Sequence, residues 1–81
     1  MRPSEAITGL AAQLQARGVN RLYGASCDRV GCLSVAYGVT VWTNGKVLCW
    51  HAGDDDTRLP AADPAYAALA LVRLMTGETG T

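Results

Sequence analysis

Ile7, Leu10, Ala11 and Leu14 recur every three to four positions and mark the buried stripe of a helix from about Ser4 to Arg17. Gly18 and Val19 supply its stop. The glycine takes the left-handed position past the last turn, and Val19 packs back on Leu14, as a Schellman ending requires. The period then drops from helical to two. Arg21 to Ser26 reads as a first strand, Cys32 to Thr43 as a longer second strand, and Lys46 to Ala52 as a third. Asp28-Arg29-Val30-Gly31 is the expected turn between the first two. Gly38 is expected to mark a bulge or bend inside the second.

Asn44-Gly45 lies between Val39-Thr-Val-Trp42 and Val47-Leu-Cys-Trp50, and reads as the turn of a β-hairpin. A type I′ turn needs positive φ at both central residues, which Asn and Gly tolerate best. A two-residue loop pairs Thr43 with Lys46. It then sets Trp42 opposite Val47, Val41 opposite Leu48, Thr40 opposite Cys49 and Val39 opposite Trp50. Val39, Val41, Leu48 and Trp50 share the face expected to pack on the helices. Thr40, Trp42, Val47, Cys49 and His51 share the other, which is neither plain solvent surface nor a second core.

Gly53-Asp-Asp-Asp56 reads as a turn, and Thr57 to Leu59 as a short return strand at the edge. Asp63 is a strong N-cap with Pro64 at the first helical position of a second helix. This helix runs to about Met75 or Thr76, with Gly77 ending it and residues 78–81 expected to fray. Tyr66, Leu69, Leu71, Val72, Leu74 and Met75 nearly encircle it, so it should be covered on more than one side. The expected fold class is α+β over one domain, residues 1–81. Its order is α-β-β-β(-β)-α, an antiparallel meander of three to four strands with two helices on one face.

Composition adds a partner to this picture. Hydrophobic residues make up 49% of the 81 residues and charged ones 17%, which excludes a disordered chain. That charge is sparse for a domain that is mostly surface, so an apolar face is expected to meet a partner, most simply a second copy. The expected interface residues are Trp42, Val47, Tyr66, Leu71 and Leu74, with Trp42 as anchor. Net charge is zero, which argues against nucleic acid. A nucleic-acid regulator would have to use Arg21, Arg29 and Lys46 at strand ends and turns. The helix–strands–helix order is also that of double-stranded RNA-binding domains, but their second helix opens on lysines and this one opens on Asp63-Pro-Ala-Tyr-Ala67. The apolar stretch at 65–75 is too short to span a bilayer, and no signal-peptide pattern opens the chain. The expected setting is the cytoplasm, with the three cysteines as thiols.

Gly38-Val-Thr-Val-Trp-Thr-Asn-Gly-Lys-Val-Leu-Cys-Trp50, followed by Pro60-Ala-Ala-Asp-Pro64, resembles small uncharacterised actinobacterial proteins. The resemblance supports the fold and brings no activity with it.

Candidate chemistry centres on the cysteines. Cys27, Cys32, Cys49 and His51 have the residue types of a Cys3His zinc site, and without a bulge they share a sheet face. Distance opposes it: Cys32 lies eight residues from Thr40 along one straight strand, about 26 Å from Cys49, and only a sharp fold at Gly38 would bring the two together. Cys27 and Cys32 as a cross-strand disulfide is disfavoured in a reducing compartment. Cys49 and His51 as nucleophile and base lack a third group to orient the imidazole. Gly24-Ala-Ser-Cys-Asp28 misses the last glycine of a nucleophile elbow, and Asp54-Asp-Asp56 lacks the spacing of a calcium loop. The expectation is therefore a non-enzymatic module with no cofactor.

Overall fold

Helix α1 (Pro3–Ala16) has Arg2 at its N-cap, whose side chain carries no acceptor for the first-turn amides, so no side chain caps it. Pro3 at the first position is preset for the helix and lacks one of the N–H groups that would go unpaired there. It ends as expected. Gly18 has φ +89°, its N–H donates to the Gln15 carbonyl (3.0 Å), and the Val19 N–H donates to Leu14 (3.0 Å). Strands β1 (Tyr23–Ser26), β2 (Gly31–Ala36), β3 (Val39–Thr43), β4 (Val47–Ala52) and β5 (Asp55–Pro60) follow, and helix α2 (Pro64–Thr76) closes the order. The computed structural model describes residues 2–36, 38–52 and 55–76. Gly77, the tail at 78–81 and the turn residues Gly53 and Asp54 lie outside them. Asp63 caps α2 as expected, its carboxylate accepting from the Tyr66 N–H (3.2 Å).

The fold is α+β: a five-stranded antiparallel meander in the order β1-β2-β3-β4-β5, with both helices packed together and against the sheet. Two strands are drawn differently from the sequence reading. The stretch Cys32–Thr43 is two strands, β2 and β3, folded back on each other, and Gly38 (φ +78°) serves the reversal rather than a bulge. A single strand of that length would run about 40 Å with its pairing groups unmatched across a small domain. The irregularity falls inside β2 instead, where the register shifts between Ser34 and Ala36. At the far edge, β5 pairs with β4 along its whole length, from Val47–Pro60 to Ala52–Asp55, so Asp55 and Asp56 belong to a strand and not to a turn.

The β3–β4 hairpin is present in another register. Trp42 pairs with Cys49 and Thr43 with Leu48, an offset of two residues from the two-residue loop. Among the described residues no non-glycine has positive φ, so Asn44 is not in the conformation a type I′ turn demands. Asn44 instead accepts the amides of Lys46 (2.8 Å) and Val47 (3.1 Å) on its side-chain oxygen, an Asx turn. The Thr43 hydroxyl donates to the Val47 carbonyl (2.6 Å) and accepts from the Gly45 amide (3.0 Å). These side-chain bonds make the longer loop the better-satisfied one. Because the offset is even, the faces survive: Val41, Leu48 and Trp50 are buried, and Trp42 points out.

Ile7, Leu10 and Leu14 of α1 join Leu33, Val41, Leu48 and Trp50 of the sheet and Ala67, Ala68 and Leu71 of α2 in one buried cluster. Two glycines set how closely α1 sits on the sheet. A Cβ on Gly31 would lie 2.9 Å from Ile7 Cγ1 and 3.3 Å from the Pro3 carbonyl, and one on Gly24 would lie 3.1 Å from Ile7 Cγ2. Among the described residues no helix is long and apolar enough to cross a membrane.

Gly31→Ala is expected to destabilise by about 1–3 kcal/mol through overpacking against Ile7. Thr43→Val, which keeps the shape but strands the Gly45 amide and the Val47 carbonyl, should cost about 1–3 kcal/mol. Urea unfolding monitored by circular dichroism checks both; an unchanged midpoint for Thr43→Val would mean that the turn is held by its backbone alone.

Candidate interaction surface

Both helices pack on one face of the sheet, so among the described residues the other face is formed by the strands. Pairing lays them out in rows. Ala25, Cys32, Trp42, Cys49 and Arg58 stand side by side from β1 to β5. In the next row stand Tyr23, Ser34 and Thr40, and beyond them the pair His51–Asp56. Trp42 lies on the middle strand, one residue from its end, and is 47% exposed. Tyr23 is 76% exposed on the edge strand, and Val30 is exposed in the β1–β2 turn. A sheet face left to water ordinarily alternates in charged and polar residues. Here, among the described residues, β1 to β4 place no Asp, Glu, Lys or Arg on it, and charge begins only with Asp56 and Arg58 of β5.

The expected interface residues divide between two layers. Trp42 is exposed and Val47 half-buried on the bare sheet face. Tyr66 is exposed on α2, in the opposite layer, where Leu69 is also exposed. Leu71 is fully buried in the core and Leu74 is partly buried against it, so the core takes the side of α2 that these two mark. The nearly continuous apolar girdle of α2 hid which side that was. Tyr23 and Leu69 were missed; Tyr23 alternates with Ala25 in a strand, which was a usable signal once that strand was placed at an edge.

The thiols come closer together than a single straight strand would allow, yet do not converge. With β2 and β3 folded as a hairpin, Cys32 and Cys49 both flank Trp42, two strand spacings or about 10 Å apart rather than about 26 Å. Zinc needs its sulfurs within about 2.3 Å of one point. Trp42 stands between them, and among the described residues no group of three or more His, Cys, Asp or Glu is placed to hold a metal. Cys27 sits beyond the end of β1, diagonal to Cys32, and all three cysteines are free. Cys27 and Cys32 line a shallow, mainly apolar hollow of about 240 Å³ with Val30 and Trp42. The backbone amides of Arg29 and Val30 hold the exposed Cys27 thiol below the ordinary thiol range.

His51 has the orienting group that the sequence did not reveal: its Nδ1 is hydrogen-bonded to the Asp56 carboxylate across β4 and β5. Asp56 was hidden because it was placed in a turn. The thiol beside it is directed elsewhere, since Cys49 Sγ donates to the Trp42 carbonyl (3.4 Å). His51 and Asp56 are both largely in water, at 78% and 71% exposure, so the pair lacks the dry surroundings that sharpen acid–base chemistry. Arg29 and Lys46 occupy turns at one end of the sheet, while Arg21 precedes β1 at the other, so the three basic residues do not form one patch.

No protein-family model, no curated protein and no solved structure matches the chain.

Of the three thiols, Cys27 is expected to alkylate first. At pH 7.5, iodoacetamide should label Cys27 several-fold faster than Cys32 or Cys49, and denaturant should level the rates. Peptide mass analysis after a timed quench reads this out; equal native rates would show that the turn amides do not favour the thiolate.

Proposed function

We propose that the protein is a non-enzymatic interaction module that self-associates, with the bare face of its sheet as the docking surface and Trp42 as the anchor. The observation that carries this reading is the charge-free expanse from β1 to β4 around a half-exposed tryptophan on the central strand. Interface centres are depleted in charge and enriched in Trp and Tyr, and their rims are polar. Tyr23, Val30, Trp42 and Val47 supply such a centre, and His51, Asp56 and Arg58 supply one side of such a rim. A second copy is the simplest occupant, because a two-fold axis lets one uncharged face meet itself without repulsion. A cytoplasmic setting belongs to the same reading, since three unbridged cysteines are stable where thiols stay reduced. Nucleic acid is the weaker alternative, given the zero net charge and the separation of Arg21 from Arg29 and Lys46.

Multi-angle light scattering at micromolar concentration is expected to give a mass above the 8.5 kDa of one chain. Trp42→Asp should weaken the association about 30-fold or more, the loss expected when an anchor worth about 2 kcal/mol is removed. A wild-type monomer at about 100 μM would remove the proposal, since that excludes even a weak specific dimer.

A further inference from the structure

We infer that the open edge of β1 takes the β1 of a second copy of this chain, joining two meanders into one continuous sheet. The inference rests on the reading that the protein self-associates, but it concerns a different surface from the bare sheet face.

The two edges of the sheet are unlike. β5 carries Asp56, Arg58 and Pro60, the charges and proline by which proteins block edge pairing. β1 is Tyr-Gly-Ala-Ser, with no charge and no proline, and all four residues are exposed. Its free groups can be assigned from the register. The Cys27 N–H donates to the Val30 carbonyl (2.9 Å), which makes Cys27 and Val30 a hydrogen-bonded pair. By antiparallel alternation Ala25–Cys32 is bonded as well, and Gly24–Leu33 and Ser26–Gly31 are not. The N–H and C=O of Gly24 and Ser26 therefore point away from β2, into the open edge. This set is self-complementary. A two-fold axis through Ala25 places Gly24 opposite Ser26 of the partner subunit, and each such pair exchanges both of its hydrogen bonds.

The surroundings of β1 suit this axis. A groove of about 500 Å³ runs between β1 and α1, bordered by Thr8, Ala11, Ala12 and Gln15, and among the described residues no charged one lines it. The wall that α1 presents to this groove is therefore uncharged, with the small residues Ala11 and Ala12 at its middle. An unrelated extended peptide could bond the same edge, but two observations favour a second copy. The edge groups match themselves, and β1-to-β1 pairing puts the charge-free strands of both copies in the middle. Asp56 and Arg58 then fall at the two far margins, giving an apolar centre of twice the width inside a polar rim.

Light scattering from about 1 to 100 μM on four proteins tests the inference: wild type, Trp42→Asp, Ser26→Pro and Ala12→Arg. Ser26→Pro removes an outward N–H without touching the β1–β2 ladder, and Ala12→Arg sets like charges across the axis. The expected result is that Ser26→Pro and Ala12→Arg each lower the assembly by one step, while Trp42→Asp leaves the edge-joined dimer. If both edge variants keep the wild-type mass while Trp42→Asp lowers it, the edge inference falls and the sheet-face reading stands. If only the edge variants dissociate, the edge holds and the sheet-face reading falls. A wild-type monomer throughout overturns both. Should Ser26→Pro fail to fold by circular dichroism, Ala12→Arg on the exposed helix surface decides. Hydrogen exchange on the unmodified protein gives an independent answer: the Gly24 and Ser26 amides should gain protection with concentration, and fast exchange at all concentrations would overturn the pairing.

Discussion

The contact of Ile7 with Gly24 and Gly31 fixes more of this molecule than any other. The two glycines leave the floor of β1 and β2 flat enough for α1 to descend until its Ile7 branches would touch any added methyl. With α1 held there, Gly9 faces Pro64 at the start of α2, close enough that a Cβ on it would be 3.8 Å from the proline ring. The helices therefore form one layer, and Trp50, the largest core side chain, lies in the cluster between that layer and the sheet. Among the described residues no further element lies on the other face.

The sequence was most legible where a single residue settles a backbone state. Gly18 and Asp63 ended and began their helices in the expected way, because positive φ and an unbonded helical N–H each have few solutions. Pairing partners were less legible. Asn44-Gly45 is compatible with two loop lengths, and the choice falls to the Thr43 and Asn44 side chains, whose bonds a turn dipeptide does not reveal. Faces survived because the two registers differ by an even number. Strand length was hardest: Gly38 within the run from Cys32 to Thr43 suits a bulge, a bend or a full reversal, and pairing demand selects the reversal.

The same split governs what could be said of the candidate site. Distances measured along one strand put Cys32 and Cys49 far apart, while the hairpin sets them on either side of Trp42. His51 found its partner in Asp56 because β5 begins two residues before the stretch Thr57 to Leu59 that reads as a strand. Leu71 and Tyr66 show the corresponding limit for helices: on an apolar girdle, only the packing of neighbours tells an inward leucine from an outward tyrosine. The alternation that sends Trp42 and Trp50 to opposite sides is already plain in the sequence.

That opposition gives the chain two built-in optical reporters. Trp50 is 3% exposed and sits among aliphatic side chains, while Trp42 is 47% exposed on the uncovered face. Indole emission follows the polarity around the ring, so the two chromophores start from different colours in one folded molecule. Unfolding must redden the inner one, and docking on the sheet face must blue-shift the outer one, so the two processes move the spectrum in opposite directions. Folding and any docking on the sheet face, which mass action entangles where a folded protein associates, are thus separable by the intrinsic light of the protein itself.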